Sequence, residues 1–201
     1  MATHMPFRTS CDELRQAINW QAQLPEYVFS NQLIRGFLII ASGVLGTRGL
    51  LDFLLEAHPR SKQALAILVR LNRHTPDEIT FLADTPDAIS QTRMQLMHSE
   101  LDLFASIVVV SNEPSKWIIY EEAGEDFSVL GVFDDELWEH WSTASNEIHD
   151  YTIGEDRLMA DLDNDAPPTW KPEFLVAFLK AYGSAETKSR LSIAQNDPHP
   201  T

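Results

Sequence analysis

The sequence predicts an α/β fold, in which flanking helices cover a parallel sheet and the C-terminal portion is short. Two observations carry this prediction. Short runs of continuous apolar residues alternate with helix-length segments, and each run ends at a turn or a polar residue. Strands that are apolar at every position are typical of a parallel sheet covered on both faces. Because ligands bind at the carboxyl ends of such strands, the polar residues there are the candidate site.

A strand, a turn of small residues and a helix follow one another between Leu33 and Pro59. This order brings backbone N–H groups and the positive end of a helix dipole against a phosphate. Three residues of the turn are the candidate phosphate ligands: Ser42, Gly43 and Gly46. A plain strand, turn and helix without a ligand is the alternative interpretation.

Four further apolar runs are predicted strands, namely residues 64–71, 78–83, 107–110 and 117–120. A helix over residues 61–72 remains an alternative, since Ala and Leu favour helices. Three polar residues lie at the ends of these strands: Arg70, Asp84 and Ser111. Helices are predicted over residues 11–23, 50–55, 88–100, 137–141 and 174–182.

Length and cysteine content limit the class of protein. A chain of 201 residues with 44% hydrophobic content is long enough for one domain with a proper core. A single cysteine, Cys11, allows no intrachain disulfide, so we expect a reducing, cytoplasmic setting. No apolar run approaches the length of a membrane span. The predicted organisation is a helical N-terminal extension (1–30), one domain (31–183) and a disordered polar tail (184–201).

The acidic charge is concentrated in the second half of the chain. Residues 1–100 carry 9 Lys+Arg against 10 Asp+Glu, whereas residues 101–201 carry 6 against 20. A phosphate backbone needs a basic footprint, so the balance argues against nucleic acid as a partner. Solvated acidic faces that keep the protein soluble are the plain interpretation, and a basic protein partner is the functional one.

Several other chemistries lack support. The histidines show no H-x-x-x-H spacing for zinc, and neither a G-x-S-x-G motif nor a Walker loop is present. Asp161, Asp163 and Asp165 have the spacing of a calcium loop, but Ala166 stands where glycine is needed. The tryptophans of the 137–141 helix are typical of core or interface packing.

The strand ends, taken in order, resemble the NmrA-like and isoflavone-reductase-like proteins, which are atypical short-chain dehydrogenases. Residues 39–46 (IIASGVLG) are similar to the family's G-A-[ST]-G-x-x-G turn, although Ile40 stands at its first glycine. Residues 116–126 (KWIIYEEAGED) are similar to its K-R-F-x-P-x-x-F-G-x-D stretch. The likeness spans about residues 33–140, but only five residues separate Val110 from Lys116, where the family has a helix.

The resemblance implies a Rossmann-like NADP-binding domain and an oxidoreductase that acts on a small organic substrate. Ser42, Gly43 and Gly46 would hold the pyrophosphate and Arg70 the 2′-phosphate, with Asp84 and Ser111 also lining the cofactor site. His140, the counterpart of the family's catalytic lysine, would donate a proton. The alternative is a shortened, non-catalytic relative that acts as a regulatory or acidic protein-binding module.

Overall fold

Six short apolar segments form strands, and the segments between them and beyond them form helices. The computed structural model describes residues 5–30, 33–40, 43–45, 47, 49–56, 64–71, 77–98, 106–122, 127–143, 146–163 and 170–196. The strands are β1 (Gly36–Ile40), β2 (Leu65–Arg70), β3 (Glu78–Ala83), β4 (Ile107–Ser111), β5 (Trp117–Glu122) and β6 (Phe127–Val132). The helices are α1 (Met5–Ala17), α2 (Leu50–Glu56), α3 (Pro86–His98), α4 (Asp135–Thr143), α5 (Asn146–His149), α6 (Glu155–Asp163), α7 (Pro172–Tyr182) and α8 (Ala185–Asn196).

The strands form one sheet in the order β1-β6-β5-β4-β2-β3, and every neighbouring pair is antiparallel. The predicted parallel, Rossmann-like sheet is therefore wrong. The resemblance to the NmrA-like proteins is wrong with it, because that family's cofactor site depends on parallel strands. What remains correct is the class at its coarsest level, a mixture of helices and strands in which helices flank the sheet.

Short connections explain why β5 pairs antiparallel with both of its neighbours. Only residues 112–116 separate β4 from β5, and only residues 123–126 separate β5 from β6. Parallel neighbours need a crossover of a dozen or more residues, so strands joined this closely pair as antiparallel neighbours. β6 was not among the predicted strands, and without it neither the β5–β6 pairing nor the edge position of β1 could be foreseen.

Helices cover both faces of the sheet, and this accounts for strands that are apolar at nearly every position. One core cluster joins the first face to α1, α6, α7, α8 and residues 18–29. A second cluster joins the other face to α2, α3, α4 and α5. Burial on two sides fixes the apolar content of a strand whatever its direction, so the apolar runs carried no information about parallel pairing.

The direction of the strands sorts the strand ends into two groups. β1, β2 and β5 run one way, and their carboxyl ends define what we call the Glu121 end of the sheet. β3, β4 and β6 run the other way, and their carboxyl ends define the Ser111 end. Residues that follow successive strands are therefore divided between opposite ends of the molecule.

The two termini of the described chain are helical. α1 begins and ends six residues earlier than predicted, and its Leu14 is fully buried against the sheet. Residues 185–196, predicted to belong to a disordered tail, form α8 with Thr187 and Leu191 buried. No helix within the described ranges is long and apolar enough to cross a bilayer.

Candidate functional site

The glycine turn after β1 is occupied by a side chain of the protein itself. Gly43 has φ +75, and the N–H of the next residue, Val44, donates a 2.7 Å hydrogen bond to Oε2 of Glu121. Glu121 is only 8% exposed. A carboxylate thus takes a backbone N–H of the turn that was predicted to hold a phosphate, and a second anion there would be repelled. Ser42 and Gly46 lie outside the described residues.

Arg70 lies at the same end of the sheet but far from this turn. Its guanidinium stacks over the Trp20 ring, 4.0 Å from the centroid, in the cluster on the α1 face. Four strand spacings separate β1 from β2, which is about 19 Å. Side chains alternate between the two faces of the sheet along β5, and this places Glu121 on the face opposite to Arg70. Gly43 and Arg70 therefore do not form one dinucleotide site.

The other three predicted site residues lie toward the Ser111 end. Ser111 is buried; its Oγ donates to the carbonyl of Trp117 at 2.6 Å and accepts the N–H of Glu113 at 3.0 Å, which shapes the β4–β5 turn. Asp84 is exposed after β3, and His140 is exposed on α4. The structure thus divides the predicted site rather than assembling it.

Two adjoining cavities run along the outer edge of β1, with volumes of about 270 and 410 Å³. Phe37, Trp138 and Glu155 line both, and we call the pair the β1 groove. Trp138 lies directly over the backbone of Gly36, where an added Cβ would overlap its ring. The missing side chain at position 36 is therefore what lets the indole of α4 rest on the edge strand.

The β1 groove has an acidic border. Glu155 opens α6, and its Oε1 accepts hydrogen bonds from the N–H and the Oγ of Ser184, both at 2.9 Å. Asp156 is exposed beside it, and Asp135 of α4 reaches the groove through its contact with Arg35. Arg35 is a basic residue of the groove, and its Nε pairs with Asp135 at 3.0 Å.

Part of the backbone edge is open in this groove. Ile39 exchanges both hydrogen bonds of its outward side with Ile153, at 2.9 and 2.7 Å. Residues two apart on a strand point their backbone groups the same way, so the N–H and C=O of Phe37 also face outward. Among the hydrogen bonds of the described chain, none reaches those two groups.

Residue types suited to nucleophilic catalysis occur in the groove but are not joined. Ser142, His149 and Asp156 line the smaller cavity. The Ser142 hydroxyl donates to the carbonyl of Glu139 at 3.4 Å, and no hydrogen bond links it to His149 in the part of the chain that the structure describes. A nucleophile needs a base within hydrogen-bond reach, so Ser142 and His149 do not form a nucleophile–base pair in this arrangement.

Two buried groups have raised pKa values for a structural reason. Burial raises the pKa of Tyr182, whose hydroxyl accepts the Val28 N–H at 3.0 Å and donates to the Glu26 carbonyl at 2.8 Å. Burial also raises the pKa of the Cys11 thiol, as expected of an unreactive structural cysteine. Within the described ranges, no group of three or more His, Cys, Asp or Glu could hold a metal ion.

Sequence reasoning missed the β1 groove because the groove depends on β1 being an edge strand. Trp138 was interpreted as packing, and it does pack, but it also lines both cavities. The sequence feature that could have indicated the groove is Trp138, a tryptophan among the acidic residues at the beginning of a helix. Comparison of the chain with protein-family models, with curated proteins and with solved structures finds no match.

Proposed function

We propose that this protein is a non-catalytic binding module that takes a basic segment of a partner protein into the β1 groove. The observation that carries the proposal is the partly buried Trp138 in an acidic border formed by α4 and the start of α6. Tryptophan in a partly desolvated pocket is a frequent anchor of protein interfaces. An aromatic ring beside carboxylates also suits a Lys or Arg side chain, which gains cation–π and ionic contacts together.

The charge distribution supports the same partner. From Trp117 to Trp170 the chain has 15 Asp+Glu and one basic residue, Arg157. A field of one sign over a binding surface raises the association rate of an oppositely charged partner, and salt weakens that effect. The N–H and C=O of Phe37 offer the partner's backbone one pair of hydrogen bonds at the bottom of the groove.

NADP binding and oxidoreduction of a small organic substrate stay predictions without this support. They rested on parallel strand ends that converge, and the residues concerned are divided between two ends of the sheet. Thermal-shift titration with NADP, NADPH and NAD remains a direct check, since a ligand that binds only the native state raises its apparent stability.

The test of the proposed function uses peptides of equal length that are basic, neutral or acidic, titrated calorimetrically at low and physiological salt. We expect only the basic peptide to bind, with affinity falling as salt rises. Trp138→Ala should lower the affinity at least tenfold, which is about 1.4 kcal/mol. Equal affinity for all three peptides, or an unchanged affinity in the variant, would show that the groove is not the site.

Matched charge variants separate the groove from the general acidity of the molecule. Asp156→Asn removes a charge at the groove, and Glu13→Gln removes one from the exposed side of α1. Both change the net charge equally, so only a local contact makes them differ. We expect Asp156→Asn to weaken the basic peptide more than Glu13→Gln does.

A further inference from the structure

β3 forms the other edge of the sheet, and its outward backbone groups can be identified from the register. The N–H of Leu71 donates to the carbonyl of Asp77 at 3.4 Å, so Leu71 and Asp77 lie opposite each other as a hydrogen-bonded pair of the antiparallel ladder. Alternation then turns the backbone groups of Glu78, Thr80 and Leu82 away from β2. In the described part of the chain, no backbone or side-chain hydrogen bond reaches those outward groups.

Within the described ranges, this edge has little of the usual protection. Sheet edges are normally blocked by Lys, by Pro, by a bulge or by a covering segment. β3 reads EITFLA, with neither Lys nor Pro, and it pairs with β2 through six consecutive positions without a bulge. At the opposite edge, Ile153 caps part of β1. Among the described residues, the fold therefore covers some of one edge and gives the outward backbone groups of the other no partner.

Apolar side chains flank the open backbone on both faces of the sheet. Ile79 is 38% exposed and lies opposite Val69, on the face that α3 covers. Leu82 is 41% exposed and lies opposite Ala66, on the other face. An added strand with apolar side chains on both of its faces would cover both, in addition to forming main-chain hydrogen bonds.

The ends of β3 are acidic, which decides the kind of strand that fits. Asp77 precedes the strand and Asp84 follows it, and both are exposed. The carboxylate of Glu78 is already paired with Arg15 of α1. Antiparallel pairing with a second copy would bring Asp77 of one chain toward Asp84 of the other, between two molecules that each carry a net charge of -15. A strand with basic ends meets no such repulsion.

We propose that the outer edge of β3 is a second docking surface, which binds an extended segment of a partner protein as an additional strand. The segment has an apolar, β-branched centre and Lys or Arg at its two ends. Its backbone pairs with the N–H and C=O groups of Thr80 and its neighbours, its centre covers Ile79 and Leu82, and its ends face Asp77 and Asp84. The surface lies across the sheet from the β1 groove and does not depend on it.

The experiment uses the full chain and a synthetic peptide with a Thr/Val/Ile centre and Lys and Arg ends. Thr80→Pro removes one outward N–H without removing a bond of the native ladder, because Pro is tolerated at the solvent side of an edge strand. Thr80→Val keeps that N–H and is the matched control. We expect Thr80→Pro to weaken the peptide at least tenfold and Thr80→Val to leave its affinity unchanged.

Amide hydrogen exchange of the unmodified protein gives a second measurement that needs no variant. On peptide binding, exchange at Thr80 and Leu82 should slow at least tenfold. The amides of Ile79 and Phe81, which face β2, should change little. This pattern supports the proposal even if Thr80→Pro does not fold, which circular dichroism would show.

Three results would overturn the proposal. One is unchanged affinity in a folded Thr80→Pro variant without slowed exchange at Thr80. Another is loss of this peptide's binding in Trp138→Ala but not in Thr80→Pro, which would place the peptide in the β1 groove. The third is a dimer of the free protein that Thr80→Pro converts to monomer, since the occupant would then be a second copy of this chain.

Discussion

At the scale of single residues, one carboxylate holds the turn after β1. Glu121 accepts the N–H of Val44 from within the fold, and Gly43 beside it adopts a positive φ that other residues tolerate poorly. An ideal Cβ at position 43 would stand 2.8 Å from Oε1 of Glu121. The glycine is therefore explained by the close approach of this carboxylate, without a phosphate.

Replacing Glu121 by Gln tests this contact. The amide oxygen can still accept the Val44 N–H, but the bond loses its charge, so we expect the free energy of unfolding to fall by about 1 to 2 kcal/mol. Urea denaturation measures it. Glu136→Gln, at an exposed position of α4, is the control and should stay within about 0.5 kcal/mol of the unmodified protein. Equal stability of the two variants would refute the assigned role.

Gly36 controls the position of Trp138. Gly36→Ala should displace the indole, lower the free energy of unfolding by about 1 to 3 kcal/mol and weaken the basic peptide at the β1 groove. Near-ultraviolet circular dichroism and calorimetry measure the two effects. Gly154→Ala is the matched control for stability, because an added Cβ there meets no atom within 4 Å. An equal loss of stability in both variants would show that the overlap with Trp138 does not matter.

At the scale of elements, a tyrosine on α7 forms hydrogen bonds with the segment that connects α1 to β1. The Tyr182 hydroxyl bonds to the backbone of Val28 and Glu26, and its ring stacks on Phe178, 4.4 Å between centroids. α7 is far from this segment in sequence, so the contact closes the helical layer over the α1 face of the sheet. Desolvation by burial is the main reason that the pKa of this hydroxyl is raised.

Tyr182→Phe should destabilise the protein by about 1 to 3 kcal/mol, because two buried backbone groups lose a partner. The raised pKa also predicts a pH effect. Above the ordinary tyrosine pKa of about 10 the unfolded chain loses this proton while the native state keeps it, so native stability falls as pH rises. Denaturation at pH 8 and in the alkaline range should show a smaller pH effect in Tyr182→Phe. Tyr151→Phe is the control, and an identical loss with pH in both variants would contradict the assignment.

At the scale of the whole molecule, the negative net charge affects both the stability of the folded protein and the kind of partner that it attracts. The net charge of -15 and a sequence pI of about 4.7 leave many carboxylates on the surface at neutral pH. Such a charge disfavours the compact state and self-association, and it attracts basic partners. The acidic second half of the sequence supplies α4 and α6, which border the β1 groove.

Added salt should therefore stabilise the protein at neutral pH by screening repulsion within the native state. Thermal unfolding in increasing sodium chloride measures the effect, and the midpoint should rise. The same series near the pI is the control, and there the rise should be much smaller. A midpoint that falls with salt at neutral pH would show that attractive ion pairs, such as Arg15 with Glu78, outweigh the repulsion.

The positions of most elements could be predicted from the sequence, whereas the site could not. Five of the six strands lie within a residue or two of their predicted places, because the length and apolar content of a strand are local properties. The helix that carries Trp138 was also expected. The β1 groove escaped prediction because Phe37, Trp138 and Glu155 meet only through an edge strand, and that edge exists only because β6 pairs with β1 on one side.

The sequence by itself determined where most strands and helices form, that helices and strands mix, and that the charge is acidic and concentrated in the second half. Only the tertiary structure decided the direction of each strand. Direction depends on which segments pair across the sheet, and a strand buried on both faces is equally apolar in either direction. That choice placed Gly43 and Ser111 at opposite ends, brought Glu121 to the glycine turn, and left backbone groups of Phe37 and of β3 without a partner among the described residues.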